Sequence, residues 1–198
     1  MSVAVESPTP AEGKTRRARP FTVDEFYRLA EAGVLGPNHQ RLELLEGEIL
    51  EPMPVGPVHA AAVTRLHSIL TRRLGQGLMV RSQNPVRLTG VSEPIPDVAI
   101  LRHREDYYQS AHPKPEEVLL LVEVSDSTLE FDVGRKARAY AEAGIGEYWV
   151  LDLAGERLRL FRLPEAGEFT ETLIARRGQS VESRWIQGLS VTVDELLG

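Results

Sequence analysis

Three residues have types and spacing suited to chemistry at a phosphate: Asp97, Glu123 and Lys136. Glu123 lies in LLLVEVSDST, residues 119–128, among Leu119, Leu120, Leu121, Val122 and Val124. A run apolar on both faces reads as a buried strand. A carboxylate within it is costly to desolvate unless something compensates it. Asp97 follows EPIP and opens a second apolar run, DVAIL. If the two strands are antiparallel neighbours, the start of one lies beside the end of the other. The two carboxylates then meet at one edge of the sheet and repel. A divalent cation relieves that repulsion. Mg²⁺ (or Mn²⁺) is satisfied by one or two carboxylates with water and substrate phosphate, and the main-chain carbonyl of Val124 offers a further oxygen.

Lys136 stands 13 residues after Glu123, in the first half of the following helix. A crossover helix starts near the C-terminal end of its strand, the edge where α/β sheets place their sites. Lys136 can reach the same place. A compact ammonium can orient a water, which a guanidinium does poorly. The chain holds only three lysines, Lys14, Lys114 and Lys136, among 23 basic residues. Taken singly, these residues have plainer readings. Glu123 can pair with Arg135 or Arg138, and Asp97 can be a turn residue after Pro96. The convergence of all three is what favours a site.

The elements that must hold them follow from pattern. Thr22 and Glu25 form a capping box for a helix over FTVDEFYRLAEAG, which Gly33 stops. RLELLEGEILEP reads as two short strands around a Glu46-Gly47 turn. HAAAVTRLHSILTRRL is an amphipathic helix with Val63, Leu66, Ile69, Leu70 and Leu74 on one side. Strands are expected over Leu78–Leu88, Asp97–Leu101 and Val118–Val124, with a polar, partly helical segment over 103–116. DVGRKARAYAEAG is a helix ending at Gly144, and EYWVLDL is a strand parallel to the one before it. RLRLFRL alternates as an exposed edge strand should. GEFTETLIA and the segment before Leu189 read as further short strands, and TVDELLG as a closing helix capped by Thr192.

The bulk properties narrow the class. The 198 residues suit one domain, 21–198, behind a Pro- and charge-rich tail, 1–20, expected to be disordered. There is no cysteine, so disulfides and thiolate metal sites are excluded. No apolar run is long enough to span a membrane and no signal-peptide pattern is present, so a cytoplasmic protein is expected. The net charge of −6 divides into +2 for residues 1–20 and −8 for the rest. A net-acidic domain is a poor general DNA-coating surface, although a local groove around an acidic centre remains open to it. No Gly-x-Ser-x-Gly elbow, Walker phosphate loop or Gly-x-Gly-x-x-Gly fingerprint is present.

RLELLEGEI, His59 at a helix start, PDVAIL, LLLVEVSDST, DVGRKARAYAEAGIGEYWVLD and GLSVTVDELL, in that order, resemble the PD-(D/E)XK nuclease fold. More narrowly they resemble the Uma restriction-endonuclease family, over about Phe21 to Leu197. The resemblance implies an α/β fold: a mixed sheet in a restriction-endonuclease-like core, with flanking helices and extra antiparallel strands. It implies Mg²⁺- or Mn²⁺-dependent hydrolysis of DNA phosphodiester bonds, with Asp97 and Glu123 holding the metal. Ser125 stands where the broad motif has its lysine, and the resemblance shifts that role to Lys136. Glu43 matches an acidic position that would support a metal or a water, or else is an exposed strand carboxylate. His59 would contact phosphate or a metal-bound water, or else caps or packs at the helix start. Tyr140 shares a helix face with Lys136 and would orient it, or else packs in the core. Asp126 replaces a proline usual in the family. An inactive binding module of the same fold and a small-phosphodiester hydrolase are the competing functions. A homodimer would suit the cutting of both strands of a duplex, through RLRLFRL or the Tyr107-Tyr108 segment.

Overall fold

The computed structural model describes residues 18–75 and 77–198. Residues 1–17 of the expected tail lie outside the described residues, and 18–20 are exposed and irregular.

Helix α1 (Val23–Glu31) starts at the expected capping box: Thr22 Oγ1 accepts from the Glu25 N–H at 3.2 Å, and the Glu25 carboxylate accepts from the Thr22 N–H at 3.0 Å. Strands β1 (Glu43–Leu45) and β2 (Glu48–Leu50) form a hairpin. Its turn residues, Glu46 and Gly47, both have positive φ, 52° and 79°, as a primed turn requires. Gly47 is required sterically as well, because a Cβ there would lie 2.2 Å from Cβ of Pro20.

The main sheet has six strands in the order β3-β4-β5-β6-β7-β8. These are Leu78–Ser82, Val98–Arg102, Val118–Ser125, Glu147–Asp152, Arg157–Glu165 and Glu168–Arg176. Only β5 and β6 are parallel; every other neighbouring pair is antiparallel. The antiparallel pairing of β4 with β5 is the arrangement the two carboxylates require. On one face of the sheet, α2 (Pro57–Arg73) packs Leu66, Ile69 and Leu70 onto Val98, Leu120, Val122 and Trp149. Helix α5 (Val193–Leu197) closes that layer. On the other face, Ala137 and Tyr140 meet Leu121, Tyr148 and Val150. The period of two along β5 sends Leu120, Val122 and Val124 to the first layer, and Leu121 to the second. Strands β9 (Ser180–Glu182) and β10 (Ser190–Thr192) form a separate pair.

Several expectations are corrected. The strand over Leu78–Leu88 stops at Ser82, because Gln83 has positive φ and Pro85, Pro94 and Pro96 cannot donate to a ladder. The intervening chain leaves the sheet and returns only at Val98. RLRLFRL is not an edge: β7 lies between β6 and β8, and its alternation reflects a half-covered face. It therefore offers no free edge to a second copy. The segment 103–116 is turns rather than helix, with a single 3₁₀ turn at Pro115–Glu117. There Asp106 takes the Tyr108 and Ser110 N–H groups onto its side chain, the competition that favours turns over helix. Of the Tyr107-Tyr108 pair only Tyr107 is exposed; Tyr108 is buried and donates to the Arg102 carbonyl. The helix expected over 132–144 is interrupted. It runs as α3 (Leu129–Phe131), a π turn over Asp132–Lys136, and α4 (Ala137–Glu142). Among the described residues no helix is long and apolar enough to cross a membrane.

Candidate active site

Val98 pairs with Val122 across β4 and β5, so one residue further along the ladder Asp97 stands opposite Glu123. The backbone N–H groups of Asp97 and Val124 hold the two carboxylates. The Asp97 N–H donates to Glu123 Oε2 at 3.2 Å, and the Val124 N–H donates to Asp97 Oδ2 at 2.9 Å. Both side chains are buried, with Asp97 9 % and Glu123 4 % exposed. Charged side chains are almost never so buried unless paired.

The partner of Glu123 is Lys136. Its Nζ donates to Glu123 Oε1 at 2.9 Å, and the Tyr140 hydroxyl donates to the same oxygen at 2.7 Å. Lys136 also lies 3.3 Å from Glu43 Oε2, an oxygen that accepts from the Ile95 N–H. The residues that deliver the ammonium sit in and just after the π turn, and such turns concentrate at functional sites. Neither arginine considered as a plain partner takes that role. Arg135 binds Glu46 and Glu48, and Arg138 is exposed. Glu43 is buried, so it is not an exposed strand carboxylate.

His59, in the first turn of α2, reaches down from the other layer. Its Nε2 lies 3.1 Å from Asp97 Oδ2, and its Nδ1 is buried with no hydrogen-bond partner among the described residues. The helix cap position belongs to Gly56, not His59. Two further residues join that the sequence reading did not single out. Gln83 extends its amide toward Asp97 Oδ1 at 3.4 Å. Asp132, buried, accepts from Ser125 Oγ and Thr128 Oγ1, both at 2.6 Å. Asp132 was findable, since it precedes Lys136 by one helical turn and shares its face. Gln83 carried no comparable signal.

Burial pushes the Glu123 carboxyl up to about 8, against the pull of Lys136; the neighbouring Asp97, Asp132 and Glu43 charges add to the rise. Burial also opposes the Lys136 ammonium, but Glu123, Glu43 and Asp132 outweigh it and hold Lys136 above the usual lysine range. The hydrogen bond to Asp97 raises His59, and burial raises Asp132 and Tyr140.

These groups line a cleft of about 330 Å³ that includes Glu43, His59, Asp97, Glu123, Asp132 and Lys136. Arg41 and the exposed Asp126 are at its wall, and Met53 and Val55 form an apolar lip. Four carboxylates, Glu43, Asp97, Glu123 and Asp132, share this buried space with one lysine. Once Glu123 has lost its proton, these four carboxylates suit a cation beside Lys136. The hard oxygen donors suit Mg²⁺ or Mn²⁺ rather than a softer metal. Among the described residues no three His, Asp or Glu side chains are arranged to enclose an ion. The adjacent Asp97 and Glu123 carboxylates would leave most of the coordination shell to water and ligand oxygens, the mode Mg²⁺ tolerates.

The sequence profile of the Uma2 family, described as "putative restriction endonuclease", matches residues 23–194. The chain belongs to the Uma2 family. The crystal structure of a "putative nuclease belonging to DUF820" from Anabaena variabilis superposes with a TM-score of 0.68 at 18 % identity, covering 90 % of this chain and 98 % of that one. That likeness establishes the mixed α/β fold of the Uma2 chain: six strands, flanking helices and small extra antiparallel sheets. No curated protein matches the sequence.

Proposed function

We propose that the chain is a metal-dependent phosphodiesterase that hydrolyses DNA. The observation that carries this reading is the hydrogen bond from the Asp97 N–H to the Glu123 carboxylate, with the Val124 N–H on the Asp97 carboxylate and Lys136 on that of Glu123, in one cleft. Family membership and the relative's description as a nuclease support the substrate class. Asp97 and Glu123 would hold Mg²⁺ or Mn²⁺, with the Val124 carbonyl as a further oxygen. Bound there, the ion would supply Lewis-acid chemistry and would lower the pKa of a water.

The chain's own residues do the rest. Lys136, charged and fixed by Glu123 and Glu43, sets a donor and a positive charge where the phosphate gains negative charge. Tyr140 and Glu43 position Lys136 and Glu123 through the bonds described above. His59 orients Asp97, in the way outer partners orient metal-binding carboxylates.

The test is nicking of supercoiled plasmid in Mg²⁺ or Mn²⁺. Cleavage by the wild type, lost in Asp97→Asn and Glu123→Gln, is the expected result. Cleavage unchanged in both variants removes the site.

A binding module without turnover is the second reading. One observation favours it: both Glu123 oxygens already accept hydrogen bonds, from Lys136 and Tyr140 on one and the Asp97 N–H on the other. Metal-independent DNA binding without any nicking would select it.

A further inference from the structure

Beside the cleft lies a second cavity, of about 450 Å³, within the size range of small-molecule sites. Phe26, Ala30, Leu42, Pro85 and Ile95 give it apolar walls, and Tyr27 and His112 give it aromatic ones. The Tyr27 and His112 rings lie within 22° of parallel, with centroids 6.5 Å apart. Tyr27 is fixed in place. Its hydroxyl donates to the buried Glu93 carboxylate, which also accepts from Arg87 Nε at 2.8 Å, and the Arg87 guanidinium sits 5.9 Å from the Tyr27 ring centre.

The polar groups here are of a particular kind. His112 Nδ1 is buried with no hydrogen-bond partner among the described residues. Buried polar atoms are rarely left so. His39 Nδ1 is 2.9 Å from the Gly36 carbonyl, which requires the proton on Nδ1 and leaves Nε2 an acceptor in the neutral ring. The Gln40 amide adds a donor and an acceptor. Among the described residues no lysine or arginine lines the cavity, Glu31 lies at its wall, and the Glu93 carboxylate is already engaged. An anionic group is thus disfavoured, and an uncharged planar ring with hydrogen-bonding edges is favoured.

Gln40 and Ile95 line both this cavity and the cleft of Asp97 and Glu123. Ile95 precedes Asp97 by two residues, about 7 Å of extended chain. A base can reach across that interval from a phosphate in the cleft.

We propose that this cavity is a nucleobase pocket: it takes one unpaired or everted base of the strand whose phosphate occupies the adjacent cleft, against the Tyr27 and His112 rings and the Gln40 amide. The placement of the phosphate rests on the nuclease reading above, whereas the affinity for a base does not. Enzymes that extrude a base hold it in this way, stacked on aromatic and apolar side chains and read at its edge.

The test uses the full chain without metal, titrated with each of the four 2′-deoxynucleosides and followed by ¹H–¹⁵N NMR. These probes carry no phosphate and so have no affinity for the cleft on that account. The expected result is saturable shifts confined to Phe26–Glu31, His39–Leu42, Glu93–Ile95 and His112 for at least one nucleoside. Ala30→Phe, which fills the cavity, and His112→Ala should each weaken binding by about tenfold or more. Each variant is scored only with native spectral dispersion, and either one suffices. Absent or scattered shifts in the wild type, or unchanged affinity in a folded variant, overturn the pocket. Plasmid nicking is scored separately. Nicking without base binding retains the nuclease and discards the pocket; base binding without nicking retains the pocket and discards the nuclease.

Discussion

Lys136 Nζ lies 2.9 Å from Glu123 Oε1, and both side chains are closed off from solvent, with Lys136 6 % and Glu123 4 % exposed. Removing one member of such a pair leaves the other charge buried and unmet, at a cost of about 3–5 kcal/mol. Lys136→Met should therefore destabilise the fold by about 3 kcal/mol at pH 9. The loss should be smaller at pH 6, where Glu123 takes up a proton and its charge disappears. Glu123→Leu placed in the Lys136→Met background should recover part of the loss. Urea denaturation followed by tryptophan fluorescence gives all three values. An unchanged midpoint for Lys136→Met would mean that the pair does not compensate Glu123.

Because burial pushes Glu123 up to about 8, a proton must leave it before its carboxylate can hold a cation. Affinity for Mn²⁺ should rise about tenfold per pH unit from pH 6 and level off above pH 8. In metal-free protein the same rise has the opposite sign for stability. The folded state binds the Glu123 proton more tightly than the unfolded chain, so stability falls as pH climbs from about 4.5 toward 8. His59 acts in the same direction. Its raised pKa contributes stability fully present below the unfolded value of about 6.5 and lost as pH passes the folded one. Lys136, held above the usual range, contributes nothing to that window. Calorimetric Mn²⁺ titration and thermal melts over pH 6–9 measure both effects. A flat affinity across the series would exclude Glu123 as a ligand.

The β4–β5 adjacency was legible because a long connection permits antiparallel neighbours and both runs are apolar apart from Asp97 and Glu123. Opposition of Asp97 and Glu123 then followed from strand ends alone. The extent of β3 was misread because Val86 and Leu88 are buried, and burial looks the same inside and outside a sheet. RLRLFRL alternates in either an edge or an internal strand when one face is half covered, so alternation could not decide its neighbours. The π turn has no hydrophobic signature at all, since it shifts the register of one turn while the apolar stripe continues. Gln83 was unreadable for a different reason. Its approach to Asp97 depends on its positive φ and on backbone bonds to the Pro96 and Asp97 carbonyls, which only the folded chain creates.

A second buried charge separates fold from site. Glu147, fully buried, accepts from Arg162 Nε, Trp149 Nε1, Ser183 Oγ and the Arg184 N–H. It faces none of the cleft residues named above. Glu147→Ala should cost about 3 kcal/mol by taking the nearest carboxylate from the buried Arg162, which keeps only Glu171 at 3.5 Å and the Glu182 carbonyl. At a temperature where the variant is still folded, Mn²⁺ affinity should match wild type. A parallel loss of affinity and stability, read by calorimetry and urea melts on one preparation, would show that the cleft senses the far end of the sheet.

The final prediction concerns where the positive charge enters. Glu123 and Ser125 lie two apart on β5 and so point to the same side of the sheet. Ser125 Oγ donates to Asp132 Oδ2 at 2.6 Å, and Lys136 follows Asp132 by one turn. A lysine at 125 would thus project into the layer from which Lys136 now approaches. Lys136→Ala should lower kcat for plasmid nicking by about a hundredfold, the scale of losing one oriented donor, with little change in KM. Ser125→Lys combined with Lys136→Ala should regain at least about tenfold of that loss. Single-turnover nicking, on variants whose urea midpoints confirm folding, decides the matter. A folded double variant no faster than Lys136→Ala would show that charge on the β5 face is insufficient, and that the bond geometry set by the π turn, with Tyr140 and Glu43 around it, is what the chemistry requires.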